Sequence, residues 1–250
     1  MSILFVLCPI IAIGAIIDAI AGGGGLITLT AYVAVGLPPQ IALGNNKFAA
    51  ASGTTIACYR YMRKGQVDWK VGTLAILFSL AGSSFGSYLA TRYADAYLHY
   101  LLLALVPAIA VFIMLKPDFG QAKPMPTKYS IPLSAVAGLL LGAYDGFFGP
   151  GTGMFLTIIF TSVLGLDLLI SCGTAKVVNL ASNVAALVTF MRFGSIDYAI
   201  AIPCAFSAII GGYIGSGLAI RGGVKVIRPV MLLVLALLLL KVVASTFSLF

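Results

Sequence analysis

The sequence predicts an all-α polytopic membrane protein made of two inverted five-segment repeats, and three observations carry that prediction. Hydrophobic residues make up 61% of the chain and charged residues only 9%, where a soluble domain needs about 25% charged residues to solvate its surface. Apolar runs such as 99–115, 129–143 and 230–240 recur between short polar gaps, and at ~20 apolar residues per crossing the 250 residues have room for roughly eight to ten crossings. Third, the chain matches itself at one constant offset, the one that carries Lys47 onto Lys176.

That register also pairs Gly22 and Gly24 with Gly151 and Gly153, Thr28 with Thr157, Gly36-Leu37 with Gly165-Leu166, and Gly44 with Gly173. Arg63, Gly65 and Asp68 pair with Arg192, Gly194 and Asp197, and Gly82, Gly86 and Ser87 with Gly211, Gly215 and Ser216. Apolar residues coincide easily in such a chain, but Lys, Arg, Asp and several Gly in one register do not. The chain divides into a first repeat at 1–115, a connector at 116–128 that contains Pro117, Pro124 and Pro126, and a second repeat at 129–250.

The segments follow in order. Residues 3–20 have the apolar run of a signal peptide and Ala19-Ile20-Ala21 as a cleavage-like site, but no Lys or Arg precedes them and the repeat includes them, so they read as a retained first helix. Short segments at 26–36 and 154–165 follow the glycine clusters, and Pro38-Pro39 ends the first of them. Long segments are expected at 39–62 and 168–192, then 69–91 and 198–219, with Asp68 and Asp197 as N-caps. Segments at 97–115 and 229–248 close the two halves, and 129–147 opens the second. Gly82-x3-Gly86 and Gly211-x3-Gly215 lie within single helices at the small-xxx-small spacing of close helix packing.

Five segments per half is odd, so the second half should lie upside down relative to the first. With Arg60, Arg63, Lys64 and Lys70 in the cytoplasm, alternation also places Lys116, Lys123, Lys128, Arg221, Lys225 and Arg228 there, and leaves Arg92, Arg192 and Lys241 outside. Ten cations against three fits the positive-inside rule, with both termini outside. The count is the same whether segments 1–2 and 6–7 cross the bilayer or form re-entrant hairpins. Loop cations thus account for the net charge of +8 without a nucleic-acid partner. Cys8, Cys58, Cys172 and Cys204 are scattered in apolar stretches as small packing residues, and His99 sits at a helix edge.

Short, glycine-interrupted segments at matching positions of inverted repeats point to a transport site. Gly22-Gly23-Gly24-Gly25 and Gly149-Pro150-Gly151-Thr152-Gly153 are such breaks. Each leaves backbone N–H groups without helical partners, and a helix that starts there is a seat for an anion. Lys47 and Lys176 lie about eight residues, some 12 Å, into long apolar helices. An intramembrane lysine costs ~2.5–3.5 kcal/mol on insertion scales, so it is a functional candidate by default, although snorkelling to the headgroups is the bland account. Asn179 and Asn183 share the face of Lys176, and Asn45, Asn46 and Thr174 lie within a turn of the two lysines. Two cations, amide donors and two helix starts suit a small polyatomic anion. Asp18 and Asp145 precede the two breaks, and three roles are open to each: neutralising a lysine in the empty site, carrying a coupling proton, or bonding the broken backbone.

Gly22–Gly25, Gly44-Asn45-Asn46-Lys47, the run Tyr144-Asp145-Gly146-Phe147-Phe148-Gly149-Pro150-Gly151-Thr152-Gly153, Lys176-Val177-Val178-Asn179 and Ser182-Asn183 resemble the TauE/SafE family of sulfite-exporter-like permeases, in its YfcA-like branch. The resemblance runs over nearly the whole chain, and the 144–153 run is its most specific part. It implies transport of sulfite, sulfonates or related anions across a bacterial inner membrane.

The expected function is therefore secondary transport of a small, sulfur-containing anion by alternating access, with a proton or cation as a coupling partner and no cofactor or metal. An anion channel using the same lysines is the alternative and needs a continuous pore. An intramembrane enzyme is disfavoured, since neither His-Glu-x-x-His nor Gly-x-Ser-x-Gly occurs. A primary pump would need a separate ATPase subunit, since the chain lacks a Gly-x4-Gly-Lys-Ser/Thr loop.

Overall fold

The computed structural model describes residues 2–115 and 125–247, with side chains over 3–93, 125–238 and 240. Among the described residues the regular structure is all helix: α1 (Ser2–Ala21), α2 (Gly25–Ala34), α3 (Pro39–Arg63), α4 (Trp69–Leu115), α5 (Thr127–Phe147), α6 (Thr152–Ser162), α7 (Leu168–Arg192), α8 (Tyr198–Gly222) and α9 (Val224–Phe247). Among the described residues, five stretches are long and apolar enough to cross a membrane: Ile3–Ala21, Trp69–Tyr93, Thr127–Phe147, Leu168–Arg192 and Tyr198–Gly222. The chain is an all-α, multi-pass membrane protein.

The helix ends recur at the offset read from the sequence. The offset that carries Lys47 onto Lys176 also carries both bounds of α3 onto those of α7, and the start of α4 onto the start of α8. Chain reversals fall on matched glycines with left-handed φ: Gly22 and Gly151, Gly36 and Gly165, Gly65 and Gly194. The caps match as well. Asp68 Oδ1 accepts from the Lys70 and Val71 amides at 2.9 and 3.2 Å, and Asp197 Oδ1 from the Ala199 amide at 3.0 Å. Asp167 caps α7 in the same way, accepting from the Leu169 and Ile170 amides. It stands directly before an apolar run, which is the ordinary N-cap signal, although the repeat draws attention to Asp68 and Asp197 instead.

One expected break is absent. Segments at 69–91 and 97–115 are a single helix, α4, whereas the corresponding place in the second half is divided at Gly223 (φ 52°). The local sequences explain the difference. Residues 92–96 read Arg-Tyr-Ala-Asp-Ala, which contains no helix breaker, and the matching 221–225 read Arg-Gly-Gly-Val-Lys. The side chains of 97–115 and the connector at 116–124 lie outside the described residues.

The halves pack by exchanging partners. In α8, Gly211 and Gly215 let the carbonyls of Ala12 and Ile16 in α1 approach; in α4, Gly82 and Gly86 do the same for Leu139 and Ala143 in α5. A Cβ on Gly86 would stand 2.0 Å from Ala143 O, so the seam requires glycine. These contacts match Ala12 with Leu139 and Ile16 with Ala143, an offset slightly shorter than the one relating α3 to α7, because the second glycine break holds two more residues than the first. Asp18 and Asp145 are therefore structural counterparts. Between α3 and α7 the exchange is again reciprocal. Gly44 lies against Ser195 O and Gly173 against Gln66 O; Asn45 Oδ1 accepts from the Asp197 amide and Thr174 Oγ1 from the Asp68 amide, both at 2.9 Å. The start of each helix meets the end of the other, so the two matched helices run antiparallel.

Candidate functional site

The two glycine breaks meet one another inside the bundle. The Met154 amide donates to Gly22 O at 3.1 Å, and a Cβ on Gly22 would come within 2.3 Å of the Gly153 carbonyl carbon. Only glycine at both positions permits that approach. This contact also uses a donor of the α6 start, and the Thr152 amide donates to Gly149 O. In α2 the Leu26 and Ile27 amides turn back to Gly23 O and Gly24 O. The expectation of two helix starts with free donors is thus met less fully than the sequence suggested, because the breaks satisfy part of each other's backbone.

Lys47 and Lys176 lie on the inner faces of α3 and α7 and are 1% and 2% exposed. Neither snorkels. Lys47 Nζ is 2.7 Å from Asp145 Oδ2 and donates to Asn183 Oδ1 at 3.0 Å; Lys176 Nζ is 2.8 Å from Asp18 Oδ2. Each lysine is neutralised by the carboxylate of the other half, so the two bridges are reciprocal. The first of the three roles considered for the aspartates, pairing with a lysine, is the one this geometry displays.

The bridges differ in their surroundings. Asp145 also accepts from Ser182 Oγ at 2.7 Å and its side chain is only 2% exposed, whereas that of Asp18 is 22% exposed. Asp18 lies in the wall of a cavity bounded mostly by α1, α2 and α3, with Lys47, Asp145, Asn179 and Asn183 on its inner side. Gly22, Gly24, Gly25, Asn46 and Gly153 also line it, as does Thr28, whose hydroxyl donates to Asn46 Oδ1 at 2.5 Å. The matching positions of the second half carry larger side chains. Leu141 stands at the level of Gly14, Asn179 replaces Ala50, and both Leu141 and Asn179 are buried.

Five of the sequence-selected residues lie outside this wall. Lys176 sits behind Asp18. Gly23 packs on Val234, Gly151 packs on Phe155 and Leu238, and the Thr152 hydroxyl bonds Gly149 O at 2.8 Å. Asn45 is turned to the Asp197 amide and joins the halves. Ser182 and Thr28 enter the sequence reading through the family-like Ser182-Asn183 pair and the repeat register, not as site residues, and the structure adds them to the site.

A sequence model of the family described as Sulfite exporter TauE/SafE matches residues 7–242. Over 235 residues the chain is 35% identical to the "probable membrane transporter protein ORF9" of a Sinorhizobium species, covering 93% of this chain and 89% of that one. It is 33% identical over 222 residues to the "probable membrane transporter protein YfcA" of Escherichia coli K12, with 89% and 82% covered. A "probable membrane transporter protein" of Haemophilus influenzae is 31% identical over 231 residues, with 92% and 91% covered. No solved structure matches the chain.

Proposed function

The chain belongs to the sulfite exporter TauE/SafE family of the bacterial inner membrane and is a membrane transporter, and on that premise we propose that it carries a small anion, of the sulfite and sulfonate class, by alternating access between two halves inverted in the bilayer. The observation that carries the reading is the pair of buried lysines held by reciprocal carboxylates where the two glycine breaks meet. Lysines buried at mid-helix are costly to insert, and a site that an anion visits is the ordinary reason to keep them. Lys47, Asn46, Asn179 and Asn183 give a polyatomic anion ammonium and amide donors along one wall of the cavity. The sulfur preference rests on the family description alone.

Inversion is supported by the antiparallel course of α3 and α7, since matched helices related by an axis in the membrane plane must run in opposite directions. The cation count of the loops favours the same arrangement. A carrier is favoured over a channel by the inequality of the two faces. The cavity reaches Lys47 from the side of α1 to α3, and at the matching positions of α5 and α7 Leu141 and Asn179 stand in place of the smaller Gly14 and Ala50. Exchanging the conformations of the halves would open the second side and close the first.

Lys47→Ala and Lys176→Ala test the site in proteoliposomes. Each is expected to reduce sulfite or sulfonate flux at least tenfold, roughly the loss of 1.4 kcal/mol or more, while the protein still inserts. Undiminished flux in both variants overturns the assignment. Acceleration of labelled uptake by unlabelled anion on the opposite side is expected of a carrier and not of a channel.

A further inference from the structure

We propose that Asp18 is the proton-carrying group of the transport site: a proton on Asp18 releases Lys176 to the anion, so that each monoanion crosses together with one proton. This rests on the anion-transport reading and adds to it the coupling ion and the residue that carries it.

Among the described residues, the buried site holds two ammonium groups and two carboxylates, joined as Lys47–Asp145 and Lys176–Asp18. Its net charge is zero. An anion that enters this arrangement adds a negative charge with no cation free to meet it, and an uncompensated buried charge is among the least tolerated features of a protein interior. Uptake of a proton by one of the carboxylates restores neutrality with groups the site already holds.

The two carboxylates are not equally placed for that task. Asp145 is 2% exposed and is held by both the Lys47 ammonium and the Ser182 hydroxyl, and Lys47 is in turn fixed by Asn183. Asp18 is 22% exposed, lines the cavity, and bonds the Lys176 ammonium at 2.8 Å. The titratable groups around Asp18 come from α7 and α3. They are Lys176 in direct contact, with Lys47, Cys58 and Tyr61 within electrostatic reach. The Tyr61 hydroxyl is turned away to Ala19 O at 3.1 Å. The surfaces of α8, α6 and α9 against this end of α1 bring Ala208, Gly215, Gly153, Met154 and Val234, none of which titrates. Water from the cavity can thus reach Asp18, whereas Asp145, which lines the same cavity, is 2% exposed and held by both Lys47 and Ser182.

The step balances. A proton from cavity water binds Asp18 Oδ2, and the Lys176 Nζ–Asp18 Oδ2 ion pair is replaced by a contact with a neutral carboxyl. Lys176 then contributes one uncompensated positive charge, which the incoming monoanion neutralises. Lys47 uses two of its three ammonium hydrogens on Asp145 and Asn183 and has one left for the same anion. The empty site, with both pairs closed, is neutral, and so is the site loaded with anion and proton. A site holding only the proton or only the anion is charged. Since the neutral states pass through the occluded bundle most easily, proton and anion travel together.

The probes are methanesulfonate and ethanesulfonate, which stay monoanionic across the working pH range, so that every proton counted is carried by the protein. Full-length protein is placed in liposomes with trapped pyranine, and the voltage is clamped with potassium and valinomycin. Inward sulfonate movement is expected to acidify the lumen by one proton per anion. A gradient of one pH unit is expected to concentrate the anion about tenfold, independently of the clamped voltage. In Asp18→Asn the accumulation ratio at zero voltage is expected to fall to one. Sulfonate exchange without lumen acidification, or accumulation that follows voltage or a sodium gradient, overturns the proton assignment and leaves the anion reading standing. Absence of exchange in the wild type for both sulfonates overturns the two together. The wild-type stoichiometry decides the matter even where the variant fails to fold.

Discussion

Removing Lys47 should unfold the protein more readily than removing Lys176, although the two lysines are counterparts. Lys47→Met leaves the Asp145 carboxylate 2% exposed with only the Ser182 hydroxyl as a bonding partner. Removing one member of a buried ion pair costs about 3–5 kcal/mol, which for a chain of this size lowers the melting midpoint on the order of 10 °C. Lys176→Met leaves Asp18, which is 22% exposed to the cavity. Water solvates part of that charge, so the loss should fall between the exposed and buried cases, roughly 1–3 kcal/mol. Adding Asp145→Asn to Lys47→Met removes the stranded charge and should recover most of the stability while leaving transport abolished. Thermal unfolding in detergent reads this directly with a thiol-reactive dye, because Cys58, Cys172 and Cys204 are buried in the fold. A double variant as unstable as Lys47→Met, or a larger loss at Lys176 than at Lys47, would falsify the account of unequal bridges.

Two further outcomes follow from the reciprocal contacts. A Cβ at Gly44 would stand 1.8 Å from Ser195 O, and one at Gly173 would stand 1.8 Å from Gln66 O. Gly44→Ala and Gly173→Ala should therefore each cost about 1–3 kcal/mol through overpacking, with similar shifts in the same thermal assay; an unchanged midpoint in either one contradicts the close approach. Asp68→Ala and Asp197→Ala remove matched N-caps and should each destabilise by ~1 kcal/mol, and equal losses in the two are the signature of the repeat.

Much of this architecture is legible in the sequence, because membrane segments are written in composition and a duplication preserves its rare residues. Lys47 and Lys176, the glycine breaks and the caps at Asp68 and Asp197 could be placed because each is costly or unusual in an apolar chain. The partner of each lysine could not. Asp18 and Lys47 are near in sequence, yet Asp18 bonds Lys176, since helix packing across the halves decides the pairing and local spacing does not. The single register set by Lys47 and Lys176 also concealed the shorter offset between α1 and α5, because two extra residues in the second break shift only what precedes them. Asn45 illustrates the opposite limit. Its neighbour Asn46 lines the cavity, but one step along the helix rotates Asn45 by about 100° to the junction between the halves.

The exchange of carboxylates between halves has a consequence for the origin of the protein. A half-length chain with one lysine and one aspartate would make both bridges by pairing with a second, antiparallel copy of itself, as any self-complementary dimer does. In such an ancestor every mutation would strike both bridges at once. A single chain holding both halves would be free of that constraint. At the offset relating Lys47 to Lys176, Ala50 and Thr54 stand opposite Asn179 and Asn183, and Asn45 and Asn46 opposite Thr174 and Ala175, so each half carries amide groups where the other has none.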